Sequence, residues 1–178
     1  RPVQKSVMGR AYRPRPSATA RIAGVERRRR VAVTVEQCWH RVPGGTATST
    51  LGTLRALARR DDLDLIGVAA RHPEPAPDAF ALPIPVKHLP LPRLALYEAW
   101  HALRWPRIER ATGPVDVVHG TAIAVPPAKA PLVMTIHDLA FLADRSQPTR
   151  HGLRFFERGT ELARRHAGVL GDLREGEP

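Results

Sequence analysis

The sequence predicts an α/β fold in which helices cover both faces of a parallel sheet. Short apolar runs rich in β-branched residues alternate along the chain with longer segments of helical period. Parallel strands need crossover helices, so this alternation favours a parallel sheet over a series of hairpins. The length of 178 residues corresponds to one domain, which can bury most of its apolar surface. The expected fold class is therefore α/β with a Rossmann-like parallel sheet.

The predicted strands are short and bounded by polar or turn-forming residues. Nearly continuous apolar runs are expected for parallel strands that are covered on both faces. A proline-rich stretch over residues 72–92 excludes a long helix and leaves room only for an edge strand. The predicted strands cover residues 31–35, 63–70, 84–89 (the edge strand), 116–119 and 132–136.

Three helices are predicted between and after these strands. In each of them, apolar side chains recur at helical spacing and form one stripe, as Leu96, Trp100 and Leu103 do in the second. The predicted helices cover residues 46–60, 93–104 and 150–166.

The C-terminal residues predict an incomplete sheet. Val169 and Leu170 could begin another strand, but Gly171 and the charged residues after it are expected to end it. We therefore expect the folded domain to cover residues 31–167 and residues 168–178 to form an irregular tail. A sheet without its last strand would expose an edge and an apolar face, which predicts marginal solubility.

The positive charge is concentrated at the N-terminus. The formal net charge is +11, and ten basic residues with one acid fall within residues 1–30. This segment has no apolar period, so we expect a disordered basic leader. It could contact nucleic acid or anionic lipid, or be additional translated sequence ahead of the domain. Nucleic acid is disfavoured because Tyr12 is its only aromatic residue, and stacking on bases needs several.

Cysteine usage and hydropathy predict a cytoplasmic protein. Cys38 is the only cysteine and can form no internal disulfide. No apolar run reaches the ~18 residues that a membrane span needs, and no secretory h-region follows the first basic residues. Peripheral contact with the inner face of the membrane through the leader stays open.

The first candidate functional loop carries a pair of glycines. Gly44 and Gly45 follow the first strand and precede the first predicted helix. Glycines let the backbone approach a ligand closely, and free amides near Thr46 at the helix N-terminus would attract a phosphate. The pair matches neither the dinucleotide fingerprint nor a P-loop. A tight turn after Pro43 is the alternative interpretation.

The second candidate loop carries histidine and aspartate. His137 and Asp138 directly follow the buried run VMTI, where a sheet edge meets a ligand. His137 could donate a hydrogen bond to a phosphate or sugar hydroxyl, or carry a proton. Asp138 could orient that imidazole or cap a short helix. His119 ends the strand before it and is expected beside His137 if the two strands are neighbours. There it would be a further residue that binds the substrate or the donor phosphates; the alternative is a half-buried structural histidine.

The sequence gives no sign of a metal site. It contains neither an HExxH motif nor paired cysteines.

Four segments in chain order resemble a known family. They read RVPGGTATSTLGTLRALA, PVDVVHGTAIAVPP, APLVMTIHDLAFL and TRHGLRFFERGTELARRHA. Together they closely resemble the N-terminal half of family 4 glycosyltransferases, which have the GT-B fold. The resemblance covers roughly residues 31–167, and the ordered series is far more specific than either loop alone.

The resemblance implies one half of a two-domain enzyme. The N-terminal Rossmann-like domain of the family shapes the acceptor site for a sugar or lipid, and the C-terminal domain binds most of the nucleotide-sugar donor. Transfer in the family is retaining and metal-independent, with no cofactor beyond the donor substrate. By resemblance, Gly44 and Gly45 lie near the donor phosphates and His137 lies at the transferred sugar, with Asp138 carried over less directly.

The departures from the family predict a fragment that is inactive alone. The C-terminal donor-binding domain is missing, and GVLGDLREGEP does not resemble the family's continuation. We therefore expect the chain to need that domain as its partner. The alternative is a non-catalytic ligand-binding module whose basic leader docks on nucleic acid or an anionic membrane. A third hypothesis is a non-functional product that folds poorly.

Overall fold

The computed structural model describes residues 27–40, 44–137 and 149–172. Its strands are β1 (Arg29–Thr34), β2 (Leu63–Ala69), β3 (Val86–His88), β4 (Val117–Gly120), β5 (Leu132–Ile136) and β6 (Ala167–Asp172). Its α-helices are α1 (Gly44–Leu57), α2 (Arg93–Ala102), α3 (Glu109–Thr112) and α4 (Arg150–His166). Two short 3-10 helices cover Glu36–Trp39 and Asp78–Phe80.

The six strands form one sheet in the order β3-β2-β1-β4-β5-β6, and every neighbouring pair is parallel. The chain moves outward from β1 to β3, returns to the centre, and moves outward on the other side from β4 to β6. This is the Rossmann-like α/β arrangement that the sequence predicts, and β3 lies at the edge as the prolines require. The direction of winding changes between β1 and β4.

Both faces of the sheet are covered, which explains why most strand residues are apolar. The larger core packs Ala32, Val118 and Met134 against helices α2 and α4. Trp100 of α2 is the largest fully buried side chain in this cluster. The smaller core joins Val33, Val35 and Ala69 to Leu54 of α1 on the opposite face.

The ends of α4 follow from local sequence. The Thr149 hydroxyl accepts a hydrogen bond from the backbone N–H of Gly152 at 3.1 Å, which caps the first turn. The last turn contains Arg164, Arg165 and His166. Positive charge there interacts favourably with the negative end of the helix dipole. The observed range, Arg150–His166, is the predicted one.

Several predicted boundaries are wrong, and two of them change the fold or the site. Residues 167–172 form β6, which pairs with β5 and occupies the edge that the sequence left open; the backbone ladder tolerates Gly168 and Gly171. The segment 168–178 is therefore not irregular from its first residue. Helix α1 begins at Gly44, not at Thr46, so both glycines belong to its first turn, and it ends at Leu57.

The basic leader also ends earlier than predicted. Arg29 and Arg30 belong to β1 and pair with Leu63 and Asp64 of β2. The Arg27 guanidinium donates to Asp116 at 2.5 Å, and the backbone N–H of Arg30 donates to the other oxygen of that carboxylate at 2.8 Å. Residues 1–26 lie outside the described residues, so the predicted disorder there stays a prediction. Within the described ranges, no helix has the length and apolar character to cross a membrane.

Candidate functional site

The carboxyl ends of β1 and β4 diverge at the centre of the sheet. Because β1 continues outward to β2 and β4 continues to β5, their connections leave the edge in opposite directions and open a crevice between them. Ligands of open α/β sheets bind at such a switch point. The side chains that follow β1, β4 and β5 therefore define the candidate site.

A buried hydrogen-bond network joins the ends of β1 and β4. The Thr121 hydroxyl donates to the Thr34 carbonyl at 2.5 Å, and the Thr121 N–H donates to the Thr34 hydroxyl at 3.0 Å. The Gln37 amide nitrogen donates to the Thr121 hydroxyl at 3.0 Å. All three side chains are buried. This network fixes the floor of the crevice.

One atom of the network is left unpaired. Gln37 is 3% exposed, and its Oε1 is buried with no hydrogen-bond partner in the described part of the chain. An amide oxygen without a donor costs free energy in an apolar environment. The floor of the crevice therefore contains a buried acceptor that no described residue satisfies.

His137 follows β5 and contacts the same network. Its Nε2 lies 3.0 Å from the Thr121 carbonyl oxygen, which can only accept, so Nε2 carries the proton and donates. In the neutral imidazole, Nδ1 then bears the lone pair and can accept a hydrogen bond. The side chain is partly buried. The geometry therefore sets the tautomer of the histidine that the sequence selects. Asp138 lies outside the described residues, so its predicted roles stay predictions.

His119 lies on β4, directly beside β5. Its Nε2 is 2.8 Å from the Thr135 hydroxyl. Burial lowers the pKa of His119, and the neighbouring His137 lowers it further. The prediction that His119 lies near His137 rests on β4 and β5 being neighbours, and they are. A neutral, hydrogen-bonded His119 also fits the structural alternative.

The glycine pair begins α1 on the same edge of the sheet. Gly44 has φ +61°, a left-handed conformation that favours glycine, and both Gly44 and Gly45 are exposed with open space where a Cβ would lie. Thr46 is partly buried, and its carbonyl accepts from the Thr50 hydroxyl at 2.8 Å. No acidic side chain occupies the first turn. No carboxylate of that turn would therefore repel an anion near its backbone amides.

A second polar cluster at this edge is absent from the sequence-based prediction. Glu36 is 2% exposed, and its carboxylate accepts from the Ala70 N–H at 2.7 Å. His72 Nε2 donates to the two oxygens of the same carboxylate at 2.9 and 3.1 Å. Trp39 stacks on the His72 ring with the centroids 4.8 Å apart. This cluster lies at the carboxyl ends of β1 and β2.

Two further histidines, His88 and His40, lie next to this cluster. His88 Nδ1 donates to the Ala70 carbonyl at 2.6 Å. His40 Nε2 is buried and has no hydrogen-bond partner among the described residues. Burial lowers the pKa of this imidazole, with a further contribution from Arg93. The signal that could have found the cluster is the one used for His137: polar residues, Glu36 and Gln37, directly after a buried strand.

Cys38 contributes no nucleophile to this edge. Its side chain is fully buried, and burial together with the nearby Glu36 raises the pKa of the thiol to about 11. The reactive thiolate is therefore scarce near neutral pH. In the described ranges, no group of three or more histidine, cysteine and acidic side chains could hold a metal ion.

No protein-family model matches the chain, and neither a curated protein nor a solved structure matches it. The observations that bear on function are therefore the crevice and the sequence segments that surround it.

Proposed function

We propose that the chain is the acceptor-side domain of a GT-B glycosyltransferase that transfers a sugar from a nucleotide-sugar donor to a sugar or lipid acceptor. The proposal combines the four-segment resemblance with the geometry of the crevice between β1 and β4. The observation that supports it most is the position of His137: its Nε2–H is held by the Thr121 carbonyl at the switch point of the sheet.

The tautomer of His137 defines which of its nitrogen atoms could contact a ligand. With Nε2–H donated to Thr121, Nδ1 is the acceptor that a hydroxyl of the transferred sugar would use. An accepting nitrogen at this position suits a ligand that carries hydroxyl groups.

The first turn of α1 supplies the complementary group. The exposed backbone at Gly44 and Gly45 would lie against the donor phosphates, because helix N-terminal amides and the helix dipole both favour an anion. The crevice would thus combine an acceptor for the sugar with donors for the diphosphate. The family resemblance assigns the remaining donor contacts, and retention without a metal, to a second domain. We therefore expect weak binding of nucleotide sugars and no turnover by these 178 residues alone.

Nuclear magnetic resonance titration of the full chain tests the proposal. UDP-glucose and GDP-mannose should each be added to ¹⁵N-labelled protein, with NAD⁺ as the competing dinucleotide. We expect saturable shifts at residues 44–47, 120–122 and His137 with at least one nucleotide sugar. His137→Ala should weaken that binding about tenfold, the effect expected for one lost polar contact.

The matched control is His151→Ala, which removes a largely exposed imidazole from α4. It should leave binding unchanged, and thermal melting should confirm that both variants fold. Shifts confined to the amino ends of the strands, or saturable binding of NAD⁺ alone, would overturn the proposal.

A further inference from the structure

A cavity of about 360 Å³ lies at the end of the sheet where the parallel strands begin. It lies at the amino ends of β5 and β6, where α4 ends, and so faces away from the crevice between β1 and β4. Its lining residues are Arg104, Pro126, Ala128, Lys129, Ala130, Pro131, Leu132, His166 and Gly168. We name it the amino-edge pocket.

We propose that the amino-edge pocket binds a small phosphate ester. Its volume lies within the range of about 300–1,000 Å³ that small-molecule sites occupy. One part of its wall is cationic and another is apolar. The inference does not depend on the glycosyltransferase proposal.

The cations of the pocket have no acidic partners in the part of the chain that the structure describes. Arg104 and Lys129 form no ion pair with any described residue, and the same holds for Arg158 on the adjacent helix α4. The carboxylate that contacts this wall belongs to Glu109. Its Oε1 accepts from the backbone N–H groups of Lys129 and Ala130 at 2.6 and 3.0 Å, so it orders the backbone and leaves the Lys129 ammonium unpaired.

Arg104 is held in place as a donor. Its backbone has φ +52°, a conformation that residues with a Cβ rarely adopt. Its Nη1 donates to the carbonyls of Trp100 and Val125 at 3.1 and 2.8 Å, and Nη2 donates to the Pro126 carbonyl at 3.3 Å. A guanidinium has five N–H donors, so N–H groups on Nε and Nη2 stay available to an anion.

The cations repel one another. Burial lowers the pKa of Arg104, and Arg158 lowers it further. Burial also lowers the pKa of His166, with added repulsion from Arg104, Arg165 and Arg158. An anion in the pocket would relieve this repulsion.

Helix dipoles do not explain the charge. Helices α2 and α4 both end here, and each C-terminus carries about half a negative charge. Together they offset about one of the positive charges on Arg104, Lys129 and the adjacent Arg158, and the Glu109 carboxylate offsets another. The remaining positive charge favours an anionic ligand such as a phosphate ester.

The remaining wall decides the class of ester. Pro126, Ala128, Ala130, Pro131 and Leu132 present apolar atoms beside the cations. A phosphate group joined to a small apolar body would contact both parts, whereas inorganic phosphate would contact only the cations. We therefore expect phenyl phosphate to bind more tightly than inorganic phosphate.

Titration of ¹⁵N-labelled full chain with both compounds tests the inference. Saturable shifts should appear at residues 129–132 and 166–168, and not at residues 44–47, which separates this site from the proposed nucleotide-sugar site. Lys129→Gln should weaken phenyl phosphate binding about tenfold, because it removes a charge-assisted contact. Lys87→Gln, which removes an exposed lysine from β3, should change it less than about twofold.

Three results would overturn the inference. The first is no saturable shift at residues 129–132 and 166–168 with either compound. The second is an equal loss of affinity in Lys129→Gln and Lys87→Gln. The third concerns membranes: sedimentation with phosphatidylcholine vesicles that contain phosphatidic acid, without binding of phenyl phosphate, would assign the cations to a lipid surface and not to a soluble ester.

Discussion

The carboxyl ends and the amino ends of the strands differ in whether their polar side chains have partners. At the carboxyl edge, Thr34, Gln37 and Thr121 bond one another, and Glu36 is paired with His72. At the amino ends of the strands, the Arg104 side chain has only carbonyl partners among the described residues, and the Lys129 ammonium has none there. Hydrogen-bonded groups with little net charge favour a ligand by its shape and hydroxyl pattern, whereas cations without acidic partners favour a ligand by its negative charge. The same sheet thus offers two chemically distinct surfaces.

The largest expected effect tests whether pairing at the carboxyl edge is structural. Glu36→Leu removes a buried carboxylate and leaves the Ala70 N–H and His72 without their acceptor. We expect the free energy of unfolding to fall by about 3 kcal/mol, measured by urea denaturation. Glu98→Leu is the matched control, because Glu98 forms a similar pair with His151 at 3.1 Å on the surface. It should cost less than about 1 kcal/mol. Equal losses would mean that burial of the Glu36 pair contributes nothing.

The second effect concerns His101, in the last turn of α2 close to Arg104. Its Nε2 accepts from the Val125 N–H at 3.2 Å, and its ring stacks on Phe155 with the centroids 4.2 Å apart. Burial lowers the pKa of His101 from 6.5 to about 4, and Arg104 and Arg158 add to the shift. The unfolded chain therefore binds a proton first on acidification. Stability is full above pH 6.5 and is lost as pH falls through about 4.

We expect this loss to amount to about 3 kcal/mol, measured by urea denaturation at a series of pH values. His101→Phe should flatten the curve over that window while keeping the stacking on Phe155. The flattening should be partial, because the pKa of His119 is lowered as well. An identical pH dependence in His101→Phe would contradict the assignment, and His151→Gln, at an exposed position, is the control.

The smallest effect examines the switch point itself. Thr121→Val keeps the shape of the side chain but removes the hydroxyl that bonds Thr34 and Gln37. We expect the free energy of unfolding to fall by about 1–2 kcal/mol. Thr121→Ser should restore most of it. Thr48→Val, at an exposed position on α1, should change it by about 0.5 kcal/mol or less. A serine variant as unstable as the valine variant would show that the methyl group matters more than the network.

Local pattern was sufficient for most of the fold. Apolar runs predict β1, β2, β4 and β5, and helical spacing predicts α2 and α4, because each signal lies within one element. Strand β6 was missed because its two glycines carry no strand preference, and its pairing with β5 supplies what the sequence lacks. The start of α1 was missed because Gly44 and Gly45 are poor helix formers that nevertheless occupy its first turn.

The site was harder to predict than the fold. His137 and the glycines could be selected because they follow strands directly. Glu36 and His72 are 36 residues apart and meet only because β1 and β2 are neighbours in the sheet. The amino-edge pocket brings together Arg104, Lys129 and His166 from three separate connections. No spacing along the chain could have indicated that arrangement.

The junction between α4 and β6 has a mechanical consequence. His166 ends the helix and Ala167 begins the strand, so a single peptide link joins two stiff elements with no slack between them. A sliding motion of the helix along its axis must pull directly on the outermost strand. A molecule bound in contact with His166 and Gly168 would resist that motion.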